Sequence, residues 1–99
     1  MNDHFASGTW IVRAGAADEF VQRWQDFLSW TRRDHGGLES ASLMRSNADP
    51  NRFVSFAAWT SAEDRDAWKQ SDGFGKRFSA CRELCDEFMG GDYGRVMTI

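Results

Sequence analysis

Cysteine and histidine are the residues of this chain best suited to nucleophilic or metal chemistry, and the sequence holds two of each. Cys81 and Cys85 lie four residues apart in a segment with helical periodicity, which puts their Cβ atoms ~5–6 Å apart, too far for a disulfide. Two thiols without a nearby histidine do not make a zinc site, so we interpret both as buried structural thiols. His35 lies at a predicted helix end, where a cation satisfies terminal carbonyls; a general base at a pocket mouth is the alternative. His4 falls in a predicted tail and is a weaker candidate.

The five tryptophans and eight phenylalanines offer a different chemistry, which is the binding of a flat apolar molecule. Once the predicted strands and helices are assembled, the helix-facing side of the sheet holds five aromatic residues around a single hydroxyl. Such a set suits a planar apolar ligand. The alternative is that Trp10, Phe74 and Phe78 serve mainly as core, as aromatic residues at helical and strand spacing usually do. The full set on this side is Gly8, Trp10, Ser55, Trp59, Trp68, Phe74 and Phe78.

The first half of the chain predicts a strand, a helix and a β-hairpin. Residues 8–13 are rich in β-branched and aromatic types, which is typical of a strand. The next segment repeats apolar residues every three or four positions, so it predicts an amphipathic helix that Gly36-Gly37 ends. Residues 38–45 and 52–59 read as strands around a polar turn, and the second has two apolar faces, which indicates a central strand. The helical stripe consists of Ala17, Phe20, Val21, Trp24, Phe27, Leu28 and Thr31.

The second half predicts two helices and a last strand. A helix that Ser61 caps through Asp64 would turn Ala67 and Trp68 inward. A third helix would end at a pair of glycines, and residues 93–99 would form the last strand. The apolar stripe of the third helix consists of Phe74, Phe78, Cys81, Cys85 and Phe88.

This order of elements is the split βαβ pattern of a ferredoxin-like α+β sandwich, in which helices cover one face of an antiparallel sheet. The other face is also apolar, and a monomer would expose it as an unusually large patch. A second copy packing sheet against sheet would cover it, so the pattern predicts a homodimer. Trp30 lies ~120° from the stripe of the first helix, so we expect it at an edge, under a loop or against the partner chain. The apolar outer face includes Thr9, Ile11, Val54, Phe56 and Ala58.

Composition and charge exclude several classes of protein. A net charge of −3 and a pI near 5.2 argue against general binding to nucleic acids or anionic membranes. There is no run of 18 apolar residues that could span a bilayer. The amino terminus lacks a signal-peptide pattern, and the chain has only two cysteines, so we expect a cytoplasmic protein. The length fits one domain over residues 1–99, in which residues 1–6 are expected to form a flexible tail.

Four stretches of the sequence, in their order and spacing, resemble the antibiotic biosynthesis monooxygenase (ABM) family of dimeric α+β barrels. In that family two ferredoxin-like subunits form a barrel, and each keeps a pocket between its sheet and its helices. The resemblance implies activities such as haem degradation or the oxygenation of polycyclic aromatic polyketides without metal or flavin. The four stretches are 13–20 (RAGAADEF), 35–41 (HGGLESA), 53–61 (FVSFAAWTS) and 67–74 (AWKQSDGF).

The resemblance also implies roles for particular residues. The cofactor-free oxygenases have a tryptophan at the end of the third strand and an asparagine four residues before it. Trp59 matches the tryptophan, whereas Ser55 stands at the asparagine position and Arg65 at a tyrosine position of the second helix. A serine hydroxyl still donates a hydrogen bond to a substrate oxygen. The resemblance thus implies Ser55 and Trp59 as catalytic residues. The alternative for Ser55 is a small residue that merely allows close packing.

Haem degradation is excluded by the same comparison. That branch of the family uses an asparagine on the first strand, a tryptophan on the second helix and an axial histidine on the third. Trp68 matches the tryptophan, but Gly8 takes the asparagine position and Phe78 the histidine position. Phenylalanine does not ligate iron.

The sequence therefore predicts a monooxygenase without cofactor or metal, acting on a small aromatic or polyketide-like substrate between sheet and helices. In such chemistry the ionised substrate reduces O₂, while the protein binds a flat aromatic, excludes water and steadies the anion. A non-catalytic dimeric protein that binds an apolar aromatic metabolite is the alternative, since the set lacks a strong base. A third interpretation is a structural dimer whose pocket is filled by its own side chains. The predicted substrate-binding residues are Trp10, Trp59, Trp68, Phe74 and Phe78.

Overall fold

The computed structural model describes residues 4–99 and has the α+β ferredoxin-like fold that the sequence predicts. In chain order, the elements are β1 (His4–Val12), α1 (Ala17–Asp34), β2 (Leu38–Arg45), β3 (Arg52–Trp59), α2 (Ala62–Gln70), α3 (Asp72–Arg82) and β4 (Cys85–Gly94). The strands form one antiparallel sheet in the order β2-β3-β1-β4, so β1 and β3 are central. Helices and sheet enclose a core that is rich in aromatic residues.

Helix α1 forms where its apolar stripe predicts it. Acidic residues in its first turn and basic residues in its last turn favour the helix dipole. Val21, which the stripe places inward, is exposed, and Trp24 is half-buried. The buried residues of the helix are Phe20, Phe27, Leu28, Trp30 and Thr31.

Trp30, which the sequence places at an edge, under a loop or against the partner chain, is buried beneath the junction of α2 and α3. Its ring lies against Gly73 at the start of α3, where an added Cβ would stand 2.2 Å from the Cζ2 atom of the indole. The guanidinium carbon of Arg77 lies 4.2 Å from the indole centroid. Gly73 leaves space at this junction, and the indole occupies it.

Strands β2 and β3 form the predicted hairpin. In the turn, Ser46 Oγ accepts hydrogen bonds from the backbone N–H groups of Ala48 and Asp49, both at 3.1 Å. The N-cap of α2 is also as predicted, since Ser61 Oγ accepts from the backbone N–H of Asp64. Of the two residues of α2 predicted to face inward, Trp68 is buried but Ala67 is exposed.

The third helix is the main prediction that the structure corrects. It ends at Arg82, and after a turn the chain forms β4, so Cys85 and Phe88 lie on a strand. Pairing between strands overrides the helical spacing here, because β4 lies along the whole length of β1 and gives that strand its second neighbour. Gly90 lies opposite Gly8 in this pairing, so the predicted helix-ending glycines instead continue the strand.

The ends of the chain differ from prediction as well. Residues 4–6 belong to β1 rather than to a tail, because they pair with both neighbouring strands, and residues 1–3 lie outside the described part. Residues 95–99 follow β4 instead of forming the last strand. Across residues 4–99, no helix has the length and apolarity needed to cross a membrane.

Candidate functional site

A cavity of about 260 Å³ lies between the sheet and the helices. Its floor consists of small residues at the inward positions of the strands. Ala57 lies opposite Ala6, Ser55 lies opposite Gly8, and Gly8 lies opposite Gly90. The side chains of these residues are a hydrogen atom, a methyl group or, for the serine, a hydroxymethyl group. Because they are so small, the sheet leaves space that the helices do not fill.

Aromatic rings form most of the cavity wall. Phe74 and Phe78 stack with an interplanar angle of 8° and a centroid separation of 5.4 Å, and Trp68 meets Phe74 edge to face at 4.7 Å. An apolar space walled by aromatic rings suits a planar aromatic ligand. The wall residues are Trp10, Trp24, Phe27, Leu28, Trp68, Lys69, Phe74, Phe78 and Phe88.

Ser55 supplies the hydroxyl at the cavity floor. Its Oγ atom accepts a buried hydrogen bond of 3.0 Å from the indole N–H of Trp10, and a hydroxyl that accepts one bond still has a proton to donate. Gly8 makes this geometry possible, because a Cβ there would stand 3.2 Å from Ser55 Oγ and 2.7 Å from Cε1 of Phe88. The hydroxyl is thus held in place and able to donate to a ligand oxygen.

Trp68 is fixed in the wall by a chain of hydrogen bonds. Its indole N–H donates to Thr31 Oγ1 at 2.9 Å, and that hydroxyl donates to the carbonyl oxygen of Phe27, also at 2.9 Å. Thr31 is fully buried, so both bonds are shielded from water. The wall at Trp68 is therefore rigid before any ligand binds.

Trp59 does not line the cavity. It is fully buried, its ring centroid lies 5.0 Å from that of Trp68, and its indole N–H has no hydrogen-bond partner in the described part of the chain. The structure therefore brings the other predicted site residues together and leaves Trp59 behind Trp68. Those that meet at the cavity are Gly8, Trp10, Ser55, Trp68, Phe74 and Phe78.

The sequence pattern does not identify several of the residues that line the cavity. It places Trp24, Phe27 and Leu28 in the core stripe of α1, and it places Phe88 on a helix. Lys69 lies on an otherwise polar helix surface, where a lysine usually faces solvent. Phe88 lies two residues before Gly90, which pairs with Gly8, so it is on the same face of the sheet as the cavity floor. This placement requires knowledge of the strand register.

Histidine and cysteine lie outside the cavity. The His35 ring contacts Trp30 and Trp59 with centroid distances of 5.3 and 6.5 Å. Burial raises the pKa of the Cys81 thiol from its ordinary value near 9 to about 12, and burial also raises the pKa of Cys85. Both thiols are free, and within residues 4–99 no three His, Cys, Asp or Glu side chains group closely enough to hold a metal ion.

Solved structures with the same fold include an oxygenase. The cofactor-independent oxygenase SnoaB from Streptomyces nogalater matches with a TM-score of 0.89 and 21% identity, covering 100% of this chain and 98% of that one. A conserved protein from Methanosarcina mazei Go1 matches with a TM-score of 0.82 and 18% identity, covering 94% and 92%. A protein from Shewanella oneidensis matches with a TM-score of 0.84 and 17% identity, covering 98% and 94%.

Sequence comparison gives the family. No protein with curated annotation matches this sequence. The family model described as antibiotic biosynthesis monooxygenase matches residues 4–79, which is more than three-quarters of the chain. The chain therefore belongs to the antibiotic biosynthesis monooxygenase family.

Proposed function

We propose that this protein is a cofactor-independent oxygenase that oxidises a small planar aromatic compound in the cavity above Gly8 and Ala57. The observation that carries the proposal is an apolar, ring-walled cavity with a held hydroxyl, that of Ser55, on its floor. Membership of the family and the shared fold with a cofactor-independent oxygenase support it. Rings of the substrate would stack against Phe74 and Trp68.

The proposed reaction takes its electrons from the substrate. An activated CH₂ group loses a proton, and the resulting anion transfers electrons to O₂. The carbon then forms a new C=O bond with one oxygen atom, while the second oxygen atom leaves as water with the two hydrogens. The chain contributes by binding the rings, excluding water and stabilising the developing oxyanion.

Ser55 and the two tryptophans near it have distinct proposed roles. The Ser55 hydroxyl donates a hydrogen bond to the substrate oxygen on which negative charge develops, and Trp10 holds that hydroxyl in position. Trp59 acts from behind the wall, where it supports Trp68. Ser55 is therefore the proposed catalytic residue, and Trp10 and Trp59 are proposed positioning residues.

Oxygen uptake with a panel of anthrones, which carry an activated CH₂ group, tests the proposal. We expect O₂ consumption with quinone formation for at least one compound, and a decrease in kcat of roughly 10²–10³-fold in Ser55→Ala, as for other lost oxyanion donors. Ser79→Ala, on the exposed surface of α3, is the control and should retain full activity. Absence of O₂ uptake with every compound of the panel, while at least one of them is shown to bind, would contradict the oxygenase proposal.

A non-catalytic binding protein is the second candidate, and one observation favours it. Among residues 4–99, no carboxylate or imidazole lines the cavity, so the site has no conventional general base. Such a protein would hold an apolar aromatic metabolite in the same cavity without turnover. Detection of an oxidised product that requires the protein would exclude it.

We propose further that two copies pair through the outer face of the sheet that includes Ile11, Val54 and Phe56. The register places Thr9 opposite Val54, and β2 and β4 extend the same row with methionines. Large apolar side chains on this face are solvent-exposed in the single chain, which favours burial against a second copy. The exposed residues are Met44 at 52%, Phe56 at 40%, Met89 at 61% and Tyr93 at 61%.

A further inference from the structure

Lys69 differs from every other cavity residue in the described part of the chain, because it alone is charged. It follows Trp68 in α2, but the two side chains have different environments. Trp68 is buried in the wall, whereas the Lys69 side chain is 34% exposed. An ammonium group therefore lies at the rim of an apolar cavity.

Asp92 of β4 is the present partner of Lys69. Directly paired residues of an antiparallel sheet share a face. Asp92 lies opposite Ala6, and Ala6 lies opposite Ala57, so the carboxylate stands on the same face as the cavity floor. The ion pair thus joins the helix layer to the sheet beside the cavity.

Lys69 is able to exchange this partner for a ligand. Both side chains are partly exposed, and ion pairs of that kind contribute little to stability. The Nε atom of Arg65 lies 3.7 Å from the same oxygen of Asp92, and the Arg65 side chain is only 13% exposed. The carboxylate therefore keeps a cation nearby when Lys69 turns to another anion.

An anion at the rim would interact with Lys69 in a favourable environment. The neighbouring wall is apolar, and a lower local dielectric strengthens the attraction between opposite charges. No other charged side chain of residues 4–99 lines the cavity, and Asp92, which lies beside it, competes with a bound anion for Lys69. The rings of the ligand would occupy the aromatic part at the same time.

We infer that the ligand of this cavity is a planar aromatic compound with an ionised oxygen, a carboxylate or a phenolate, which Lys69 binds at the rim. This inference rests on the proposed function, because it takes the cavity to be the substrate site. It adds the charge and orientation of the substrate. The ionised group lies at Lys69, and the opposite end of the ring system lies towards Ser55.

Isothermal titration calorimetry with 2-naphthoate and 2-naphthamide tests the inference, since the two probes share ring size and differ in charge. We expect the wild-type protein to bind naphthoate roughly tenfold more tightly, as for one partly screened ion pair. Lys69→Met should lower naphthoate affinity to that of naphthamide and leave naphthamide binding unchanged. Lys76→Met, which removes the other lysine from an exposed position on α3, is the matched control and should behave as wild type.

Two further measurements separate recognition from a structural effect. Asp92→Asn should strengthen naphthoate binding, because it removes the competing carboxylate. Added salt should weaken naphthoate binding but not naphthamide binding. Equal affinity for the two probes in the wild-type protein, or equal loss of both in Lys69→Met, would overturn the role of Lys69 and leave the oxygenase proposal standing. Binding of neither probe, together with no O₂ uptake from the anthrone panel, would overturn both.

Discussion

The two faces of the sheet differ in the size of their side chains. The face beneath the helices, which a globular protein normally fills with large side chains, has small residues at its centre and a cavity above them. The face without a covering layer presents large apolar side chains to solvent. The small inward residues are Ala6, Gly8, Ser55 and Ala57, and the large outward residues are Met44, Phe56, Met89 and Tyr93.

A shift of one residue along a strand separates these environments. On β3, Ser55 and Ala57 are buried, whereas the intervening Phe56 is 40% exposed and its side chain belongs to the other face of the sheet. The contrast indicates two uses of the same strands. In the proposed function, the inner face keeps space for a ligand, and in the proposed dimer the outer face is the apolar surface that pairs with a second copy.

A charge on the outer face should produce the largest effect. Val54→Asp would bury an unpaired carboxylate in the proposed dimer, at a cost of about 3 kcal/mol or more. That cost raises the dimer Kd by more than a hundredfold, which sedimentation equilibrium would detect. Val21→Asp, at an exposed site on α1, is the matched control and should stay dimeric. Unchanged assembly of Val54→Asp would show that the outer face is not the interface.

A single methyl group at the inner floor should have the next largest effect. In Gly8→Ala the added Cβ would stand 2.7 Å from Phe88 and 3.1 Å from the indole nitrogen of Trp10. We expect a loss of about 1–3 kcal/mol in the free energy of unfolding, as for other overpacked sites. Urea denaturation measures it. Gly75→Ala, where no atom lies within 4 Å of the added Cβ, is the control. Wild-type stability of Gly8→Ala would mean that the floor is less tightly packed than described.

Filling the cavity should weaken ligand binding with little effect on the fold. In Ala57→Leu the larger side chain occupies space above the floor, and we expect at least a tenfold loss of affinity for an aromatic probe, about 1.4 kcal/mol. Ala41→Leu adds the same atoms at the position opposite Ala57 on β2, outside the cavity, and should bind normally. Tryptophan quenching by the probe measures both. Equal affinities of the two variants would place the ligand elsewhere.

The smallest effect concerns the buried thiol of Cys81 on α3. The pKa of Cys81 is raised by burial to about 12, so above pH 9 the unfolded thiol loses its proton while the folded thiol keeps it. Stability is therefore unaffected by this group below pH 9 and falls as the pH rises towards 12. Between pH 8 and pH 9.5 we expect a loss of less than about 1 kcal/mol. Cys81→Ala should show a shallower decrease in urea denaturation, and an identical slope would contradict solvent exclusion at this site.

Elements with a local periodic signal could be predicted from sequence. The stripe of α1, the hairpin of β2 and β3, and the Ser61 cap each depend on residues close in the chain. Strand β4 could not, because residues 85–89 suit a helix locally and only pairing with β1 makes them a strand. That same error removed Phe88 from the predicted site.

The sequence predicts which face of the sheet carries the candidate site, but it does not predict which residues reach the cavity. Alternation along β1 and β3 places Trp10, Ser55 and Trp59 on the helix-facing side, and all three are buried there. Alternation does not tell which inward residue meets empty space and which lies behind another ring. The structure separates them, with Ser55 on the cavity floor and Trp59 behind Trp68.

A crystal structure of the protein with its tightest-binding polycyclic phenol would show whether the cavity is the ligand site. We expect the ring system to lie in the cavity against Phe74 and Trp68, with one ligand oxygen within hydrogen-bond distance of Ser55 Oγ. A ligand bound on the outer face of the sheet, with the cavity above Gly8 and Ala57 still empty, would contradict it.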